Sequence, residues 1–531
     1  MTIRSREPHP AMDRRSFFLG SGVAAGTVWT GALTAQLIPT RARGAEARNP
    51  TNAEVLNAQT QRALRWAGRM PADWVRARPG VDHNVMIVGG GQTGISIAYA
   101  LRRKGIGRVT VIDRCGPGEA GIWRNIARMH QLRTPKWLPG PEQGNPDLGF
   151  RAWYETLNGA AAFDALDRIP RLAWADYLAW FEQVTEAGVR YRTRLVGLEP
   201  AGESLRVHLE SEGAQRTEVT RKVVLANGFR GAGGVNVPAI LRGVPAHLWS
   251  HTDVPFDFSR LAGKEVAVIG AGASAFDAAA TAIEHGAAAV HLYSRRRYVD
   301  YPAPGVAQVP GSPGPPGDRG HANVVELLPD LPDEIRWRNW RARESRSATV
   351  PPDSLARAVQ SKKFHVHLGS EWNAVVPRSQ GVSAHIAGKQ RRFDHVIAAT
   401  GYRVDLSAQP ELEVIQPTIA RWQDRYRPPS GEEDATVAQF PYLGAGFQFL
   451  PRPDARAEYL RNVHCFNMAA SASFGTLVGD IPSVAQQPRL VAAITRDFFV
   501  EDVDPAQNRR YVEAPIVPPS PAPYQSAVSS S

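Results

Sequence analysis

The chain has 531 residues, of which 43% are hydrophobic and 21% charged, and it contains two cysteines. These values are typical of a globular protein of about three domains, and they exclude a mainly disordered chain and a disulfide-built scaffold. The formal net charge of +11 is compatible with nucleic-acid binding, but no nucleic-acid motif accompanies it, so we expect no nucleic-acid partner.

Residues 1–47 are predicted to be a twin-arginine signal peptide. Arg14 and Arg15 precede a mildly apolar run, which ends at Pro39 and is followed by small residues suited to cleavage. This pattern predicts recognition by the twin-arginine export machinery and a periplasmic location. The alternative is an uncleaved signal that anchors the protein in the membrane; otherwise we expect no stable membrane span. Because this pathway carries folded proteins, we also expect a tightly bound prosthetic group.

The elements that follow indicate two βαβ units separated by a smaller antiparallel part. In chain order the sequence predicts a helix at 54–70, a strand at 85–88, a helix at 95–104, a strand at 109–112, helical aromatic core at 150–190, antiparallel strands at 189–196, 205–210 and 217–224, strands at 266–269 and 289–293, a long irregular loop at 301–335, a strand at 393–399 and a disordered tail after 515.

A glycine-rich loop follows the first of these strands and opens the next helix. It fits G-x-G-x-x-G, in which the glycines allow a tight turn, close approach to a pyrophosphate and packing of helix on strand. Asp113 ends the following strand, where it can accept a hydrogen bond from a ribose hydroxyl. The predicted binding residues here are Gly89, Gly91, Gln92, Thr93, Gly94 and Asp113.

A second fingerprint, G-x-G-x-x-A, follows the strand at 266–269. The position that corresponds to Asp113 is a serine followed by arginines, and such a set favours the 2′-phosphate of NADP over NAD. The predicted binding residues here are Gly270, Gly272, Ala273, Ser274, Ala275, Ser294, Arg295 and Arg296. A strand that ends in Ala-Thr-Gly at 399–401 is typical of a return crossing, so the second domain is predicted to be inserted in the first.

Together these motifs resemble those of class B flavin-dependent monooxygenases, which are FAD/NAD(P)H flavoproteins with two dinucleotide-binding domains. Gly121-Ile122-Trp123 resembles the Gly-Gly-x-Trp motif of that superfamily. The resemblance implies an α/β fold with two Rossmann-like domains of the three-layer ββα/α type, FAD in the first domain and NADPH in the second. It adds as binding residues Trp123, Thr400, Gly401 and Asp480, the last because Gly-Asp contacts the ribityl chain of the flavin in the family.

The resemblance also implies a domain order. The predicted segments are the signal peptide at 1–47, an N-terminal linker and helix at 48–80, the first part of the FAD-binding domain at 81–245, the NADP-binding domain at 246–398, the return part of the FAD-binding domain at 399–505 and a disordered tail at 506–531.

The activity implied by the resemblance is that of an NADPH-dependent monooxygenase, which uses O₂ through a flavin C4a-(hydro)peroxide on a small organic substrate. His251 is the candidate catalytic residue, from its distance to the second fingerprint, although Pro245 and His247 replace the Phe and Gly of the family's F-x-G-x-x-x-H signature. A second departure is Pro135, which stands where many flavin-containing monooxygenases carry an Asn after Thr134.

Two other functions stay open at this point. One is an exported FAD dehydrogenase or reductase that passes electrons to a quinone or another acceptor, since NADPH is scarce outside the cytoplasm. The other is a non-catalytic flavin-binding accessory protein. Cys115 and Cys465 are isolated, so a paired-cysteine reductase is not expected, whereas a structural disulfide between them is possible. No metal-ligand spacing is present in the sequence, and the sequence does not indicate a substrate.

Overall fold

The computed structural model describes residues 51–301, 325–345 and 349–504, together with positions 506, 509, 513 and 520–529. The predicted signal peptide, much of the predicted loop and much of the predicted tail therefore lie outside the described residues.

Within the described residues, the α-helices vary from one turn to four turns in length. They are α1 (Asn52–Trp66), α2 (Gln92–Arg103), α3 (Phe150–Asn158), α4 (Ala160–Asp164), α5 (Arg171–Val184), α6 (Ala273–Glu284), α7 (Asp333–Glu344), α8 (Pro352–Val359), α9 (Trp422–Arg425), α10 (Ala435–Ala438), α11 (Ser471–Phe474) and α12 (Gln487–Asp502).

The strands form two larger sheets and two small ones. They are β1 (His83–Val88), β2 (Val109–Ile112), β3 (Gln131–Pro135), β4 (Arg168–Pro170), β5 (Val189–Arg190), β6 (Thr193–Ala201), β7 (Ser204–Ser211), β8 (Ala214–Leu225), β9 (Trp249–His251), β10 (Glu265–Ile269), β11 (Ala289–Tyr293), β12 (Phe364–His367), β13 (Trp372–Pro377), β14 (Val382–Ile386), β15 (Lys389–Phe393), β16 (His395–Ala398) and β17 (Val463–Cys465).

The first sheet has seven strands in the order β5-β2-β1-β8-β7-β6, and β17 adds to β8. Its centre is parallel, because β1 pairs in parallel with β2 and β8, and β17 pairs in parallel with the carboxyl-terminal end of β8. Strands β6, β7 and β8 form an antiparallel meander. The short apolar strands of the centre bury both faces, as expected for a parallel sheet covered by helices.

One predicted strand is wrong in this sheet. The single antiparallel strand expected at 189–196 is two strands, of which β5 pairs in parallel with β2 and β6 begins the meander. Arg192 separates them and has a φ of 49°, in the left-handed region, so the chain turns there and cannot continue one strand.

The second sheet is wholly parallel, in the order β12-β11-β10-β16-β9. All its strands lie between residues 249 and 398, whereas the first sheet takes strands from both sides of that segment. The second Rossmann-like domain is therefore inserted in the first, as predicted, although the exact domain boundaries stay predictions. The return strand expected at 393–399 is the shorter β16, which Asp394 separates from β15.

The predicted aromatic core is confirmed. Trp153, Trp174, Tyr177 and Phe181 are buried in one cluster beside the first sheet. This cluster supports the segment that connects β2 to β5.

Helix α7 begins inside the segment predicted to be an irregular loop. It belongs in sequence to the inserted domain, but Trp337 and Trp340 pack against Trp422 and Phe440 of the return part. Buried aromatic contacts of this kind hold a helix even where the sequence around it is rich in proline. In the part of the chain that the structure describes, no helix combines the length and apolarity needed to cross a membrane.

Candidate active site

The first glycine turn connects β1 to α2. Gly89 has a φ of 115°, and a Cβ built there would lie 2.4 Å from the Ala226 carbonyl oxygen, while a Cβ at Gly94 would lie 1.8 Å from the Gly89 oxygen. Side chains are thus excluded at both positions by the protein itself. Gly91 differs, because the nearest atom to its Cβ would be Gly121 Cα at 3.5 Å.

Gly91 is the N-cap residue of α2 and has no side chain to cap the helix. The N–H groups of the first helical turn lack intrahelical partners, and the helix dipole favours an anion there. Space beside Gly91 and free helix N–H groups fit the pyrophosphate of a dinucleotide.

Asp113 directly follows β2 and is held in a fixed orientation. One carboxylate oxygen accepts a hydrogen bond from the Gly90 N–H at 2.7 Å, and the other accepts one from the Cys115 N–H at 2.7 Å. Each carboxylate oxygen keeps a further lone pair, so Asp113 can also accept a hydrogen bond from a ribose hydroxyl, the role predicted for it.

The second glycine turn repeats this construction between β10 and α6. Gly270 has a φ of 122°, and a Cβ there would lie 2.3 Å from the Ala399 carbonyl oxygen. Gly272 is the N-cap of α6, again without a side-chain cap. The first glycine of each turn therefore packs against the residue that follows a crossing strand: Gly89 against Ala226 after β8, and Gly270 against Ala399 after β16.

The residues after β11 fit a 2′-phosphate. The Ser294 hydroxyl accepts a hydrogen bond from the Arg296 N–H at 3.1 Å. Arg296 Nη2 donates to the Ser345 carbonyl oxygen at 2.8 Å, while its Nη1 is buried and has no partner among the described residues. Arg295 is exposed. A buried, unpaired guanidinium nitrogen beside a serine is the chemistry that a phosphate satisfies.

A single large cavity of about 2060 Å³ extends between the two domains. It brings together part of the predicted set: Gly89, Gly91, Gln92, Thr93, Asp113, Trp123, Ser274, Gly401 and Asp480. Others do not line it: Gly94, His251, Gly270, Gly272, Ala273, Ala275, Ser294, Arg295, Arg296 and Thr400. Thr400 instead donates a hydrogen bond to the Asn236 carbonyl oxygen, which ties the two connectors together.

His251 lies one layer behind the cavity wall. Its side chain is buried, its Nδ1 accepts a hydrogen bond from the Asp253 N–H at 3.0 Å, and its Nε2 has no partner among the described residues. Burial lowers the pKa of His251, so the neutral imidazole is favoured at neutral pH. The ring stands 6.5 Å from the Tyr402 ring. A catalytic role for His251 stays a prediction, and this placement favours support of Tyr402.

A cluster of three side chains between the connectors was not predicted. The Tyr402 hydroxyl donates to Asp253 Oδ1 at 2.7 Å, and Arg230 donates to the other oxygen of the same carboxylate. All three residues line the cavity. Tyr402 belongs to the run recognised in sequence, but no motif marks Asp253 or Arg230, because the partners are far apart along the chain.

Other unpredicted cavity residues come from the segment after Trp123 and from the inserted domain. Arg133 Nη2 lies 3.5 Å from Asp277 Oδ2, so this pair spans the two domains. Thr134 and Pro135 line the cavity as well. Five residues of α7 also line the cavity: Asn339, Trp340, Ala342, Arg343 and Glu344.

Both cysteines are free thiols. Cys465 is buried, and burial raises its pKa to about 12. The disulfide that the sequence left open is therefore not formed.

The two dinucleotide turns and the cavity between them define an FAD- and NAD(P)-binding oxidoreductase. A family model described as FAD-NAD(P)-binding matches residues 86–230, and the L-lysine 6-monooxygenase/L-ornithine 5-monooxygenase model matches residues 162–301. The chain is 36% identical over 436 residues to the FAD-dependent urate hydroxylase of Xanthomonas campestris pv. campestris, covering 81% of this chain and 89% of the relative. The chain belongs to the flavin-dependent monooxygenase family.

Solved structures share the fold at low sequence identity. Ornithine hydroxylase from Pseudomonas aeruginosa superposes with a TM-score of 0.59 at 16% identity, covering 78% of this chain and 99% of that one. A bacillithiol disulfide reductase from Staphylococcus aureus superposes with a TM-score of 0.53 at 14% identity, covering 80% and 100%. The predicted cofactors, FAD and NADPH, are confirmed, and the accessory-protein alternative is wrong because the family consists of oxidoreductases.

Proposed function

We propose that this protein is an NADPH-dependent hydroxylase of urate or a closely related planar heterocycle. The observation that carries the proposal is the continuous cavity, which runs from the first glycine turn past Tyr402 to α7. It gives a small substrate access to the reactive end of a flavin held at the first turn. The choice of substrate is supported by the urate hydroxylase to which most of the chain is similar.

Different side chains of the protein would have different roles at such a site. FAD, when bound, supplies hydride acceptance from NADPH and the activation of O₂. The N-terminus of α2 and Asp113 would hold its pyrophosphate and ribose, and the N-terminus of α6 with Ser294 and Arg296 would hold NADPH. Trp340 lines the cavity, and an apolar side chain there would limit contact between water and the bound cofactor.

The test uses the FAD-loaded protein. NADPH oxidation and O₂ uptake are followed with and without urate, and hydrogen peroxide is measured in parallel. We expect urate to accelerate NADPH oxidation with matched O₂ uptake and little peroxide. An unchanged rate over a full range of urate concentrations contradicts the proposed substrate.

A second candidate function is an FAD reductase that passes electrons to a quinone or another acceptor. Pro135 favours it, because this residue lines the cavity and stands where the resemblance to flavin-containing monooxygenases implies an asparagine. The shared fold does not decide between the two, since a disulfide reductase has it too. Fast reduction of a quinone by NADPH, with no urate-dependent O₂ uptake, favours this second function.

We further propose that the protein is exported in folded form by the twin-arginine pathway. Arg14 and Arg15 and the weakly apolar run after them support this proposal. An FAD bound before export agrees with the requirement of that pathway for folded cargo.

A further inference from the structure

Helix α7 carries four arginines, three of which fasten it to the return part of the first domain. Arg336 donates to the Ser473 carbonyl oxygen at 2.7 Å. Arg338 donates to the Glu432 carboxylate at 2.7 Å, and Arg341 donates to the Gly431 carbonyl oxygen at 3.0 Å. These bonds, with the buried tryptophans on the same side, fix the helix as a rigid wall of the cavity.

The fourth arginine, Arg343, is not used in this way. It lines the cavity and makes no hydrogen bond or ion pair within 4 Å to any described residue. Its guanidinium carbon lies 5.4 Å from the centre of the Trp340 ring, which is a cation–π contact. The carboxylates of Asp480 and Glu344, which also line the cavity, attract it without forming an ion pair within 4 Å.

The surroundings of Arg343 are those of a charge inside a cleft. The side chain is accessible, yet protein atoms around it desolvate the guanidinium and lower its pKa. Because Arg343 also lines the cavity, at least part of its accessible surface faces the cavity. A cation in such a place lacks part of its hydration and gains most from a bound anion.

Asn339 stands one helical turn before Arg343 on the same face of α7. It is exposed, lines the cavity and makes no hydrogen bond to a described residue. A free amide supplies one acceptor and two donors. Asn339 and Arg343 thus present a donor–acceptor group and a planar cation side by side.

We propose that Asn339 and Arg343 together recognise the anionic lactam edge of the substrate, an inference that rests on the proposed function. Urate is a planar monoanion at neutral pH, with its charge shared among ring nitrogens and carbonyl oxygens. The guanidinium fork matches two such acceptors at once. The Asn339 amide matches a neighbouring lactam, which offers one N–H and one C=O.

The anion could also be a phosphate of FAD or NADPH, since the same guanidinium chemistry binds it. The glycine turns already supply the pyrophosphate sites, and Ser294 with Arg296 supplies a 2′-phosphate site outside the cavity wall. We therefore assign Arg343 to substrate, and the experiment includes the nicotinamide dinucleotide as a separate arm.

The experiment is calorimetric titration of the FAD-loaded protein without turnover. The probes are urate, orotate as a second planar heteroaromatic anion, hypoxanthine as a neutral purine, and NADP⁺. The variants are Arg343→Ala, Arg343→Gln and Asn339→Ala. The control is Arg65→Ala, a change at an exposed arginine in the last turn of α1 that does not line the cavity. Retention of FAD by each variant reports correct folding, and Arg343→Gln keeps the size of the side chain.

We expect Arg343→Ala and Arg343→Gln to raise the Kd for urate and orotate by about 10- to 100-fold, because a charge-assisted bidentate contact is lost. Asn339→Ala should raise the Kd for urate by about 3- to 10-fold. Hypoxanthine and NADP⁺ should bind every variant as they bind the wild type, and Arg65→Ala should behave as the wild type with all four probes.

Three outcomes separate this inference from the proposed function. Unchanged urate binding by both Arg343 variants, or an equal loss of NADP⁺ binding, overturns the role of Arg343 while the hydroxylase proposal stands. Binding of orotate but not urate by the wild type, lost in the Arg343 variants, supports the anion site and overturns urate as substrate. No binding of either anion by the wild type overturns both.

Discussion

Asp480 shows how burial sets the charge of a cofactor-binding side chain. It follows Gly479, which has a φ of 102°, and its carboxylate accepts a hydrogen bond from the Ser483 N–H at 3.0 Å. Desolvation nevertheless raises the pKa of Asp480 to about 6, against the opposing effect of Ser483 and Arg343. Asp480 is therefore still mostly ionised at neutral pH, and keeping that buried charge lowers the stability of the FAD-free protein.

We expect Asp480→Asn to stabilise the FAD-free protein above pH 6 by about 1–3 kcal/mol, because the raised pKa represents a cost of that order. The gain should be complete above the folded-state pKa of about 6 and decline toward pH 4, near the ordinary value of 3.8. Urea unfolding at pH 7.5, 5 and 4 measures it. FAD affinity should fall, because the ribityl hydroxyls lose a charged acceptor. Lower stability of the variant at pH 7.5 contradicts this account.

Arg296 is a second single residue with a specific expected role, the preference for NADPH over NADH. Its buried Nη1, which has no partner among the described residues, and the nearby Ser294 hydroxyl fit the phosphate that distinguishes NADPH from NADH. We expect Arg296→Ala to raise the KM for NADPH by about tenfold or more and to leave that for NADH almost unchanged. Arg297→Ala, a change at an exposed neighbour, is the matched control. Equal effects on both nucleotides contradict the assignment.

At the scale of elements, the first glycine turn contains glycines with two different roles. Gly94 is required for folding, and Gly91 leaves space for the cofactor. A methyl group at Gly94 meets the Gly89 oxygen at 1.8 Å, whereas one at Gly91 meets no atom closer than 3.5 Å. We expect Gly94→Ala to lower the unfolding temperature of the FAD-free protein. Gly91→Ala should leave it unchanged but weaken FAD binding about tenfold or more, because the methyl group enters the pyrophosphate space. Thermal unfolding and FAD titration measure both effects, and FAD binding by Gly91→Ala equal to the wild type contradicts the second.

The βαβ units could be predicted because their signal is local. A short apolar strand, a glycine loop and a helix follow one another within about thirty residues. The division of β5 from β6 could not, because it depends on one left-handed residue, Arg192, whose side chain gives no sign of it. Helix α7 was missed because its support is distant in sequence, in Trp422 and Phe440, while prolines and glycines dominate the segment before it.

The candidate site could also be predicted only where its residues have a fixed spacing along the chain. Asp113 and the glycines have fixed spacings, so the sequence indicates them directly. Tyr402 and Asp253 are 149 residues apart, and only the crossing of two connectors brings them together. Arg343 is one of 62 basic residues, and only the placed helix shows that it has no hydrogen-bond or ion-pair partner among the described residues.

For the molecule as a whole, the insertion of one dinucleotide domain in the other places the substrate cavity between them. The first sheet cannot be completed until β17 has been added to β8, after the whole inserted domain. The predicted FAD site takes residues from both sides of the insertion, such as Gly91 and Asp480, so the export in folded form that we propose would require the whole chain to fold first. Folding, FAD binding and export should therefore be coupled.

This coupling leads to the last prediction. We expect replacement of Arg14 and Arg15 by lysine to abolish export and to leave an FAD-loaded protein in the cytoplasm, because the pair is read as arginine and not as charge. Gly94→Ala should reduce export with an intact arginine pair, since its fold is impaired. Cell fractionation, with flavin absorbance of each fraction, measures both. Signal cleavage predicts a shortened soluble protein in the periplasm, whereas recovery at full length in the membrane favours the anchored form. Equal periplasmic amounts of the double-lysine variant and the wild type contradict export by this pathway.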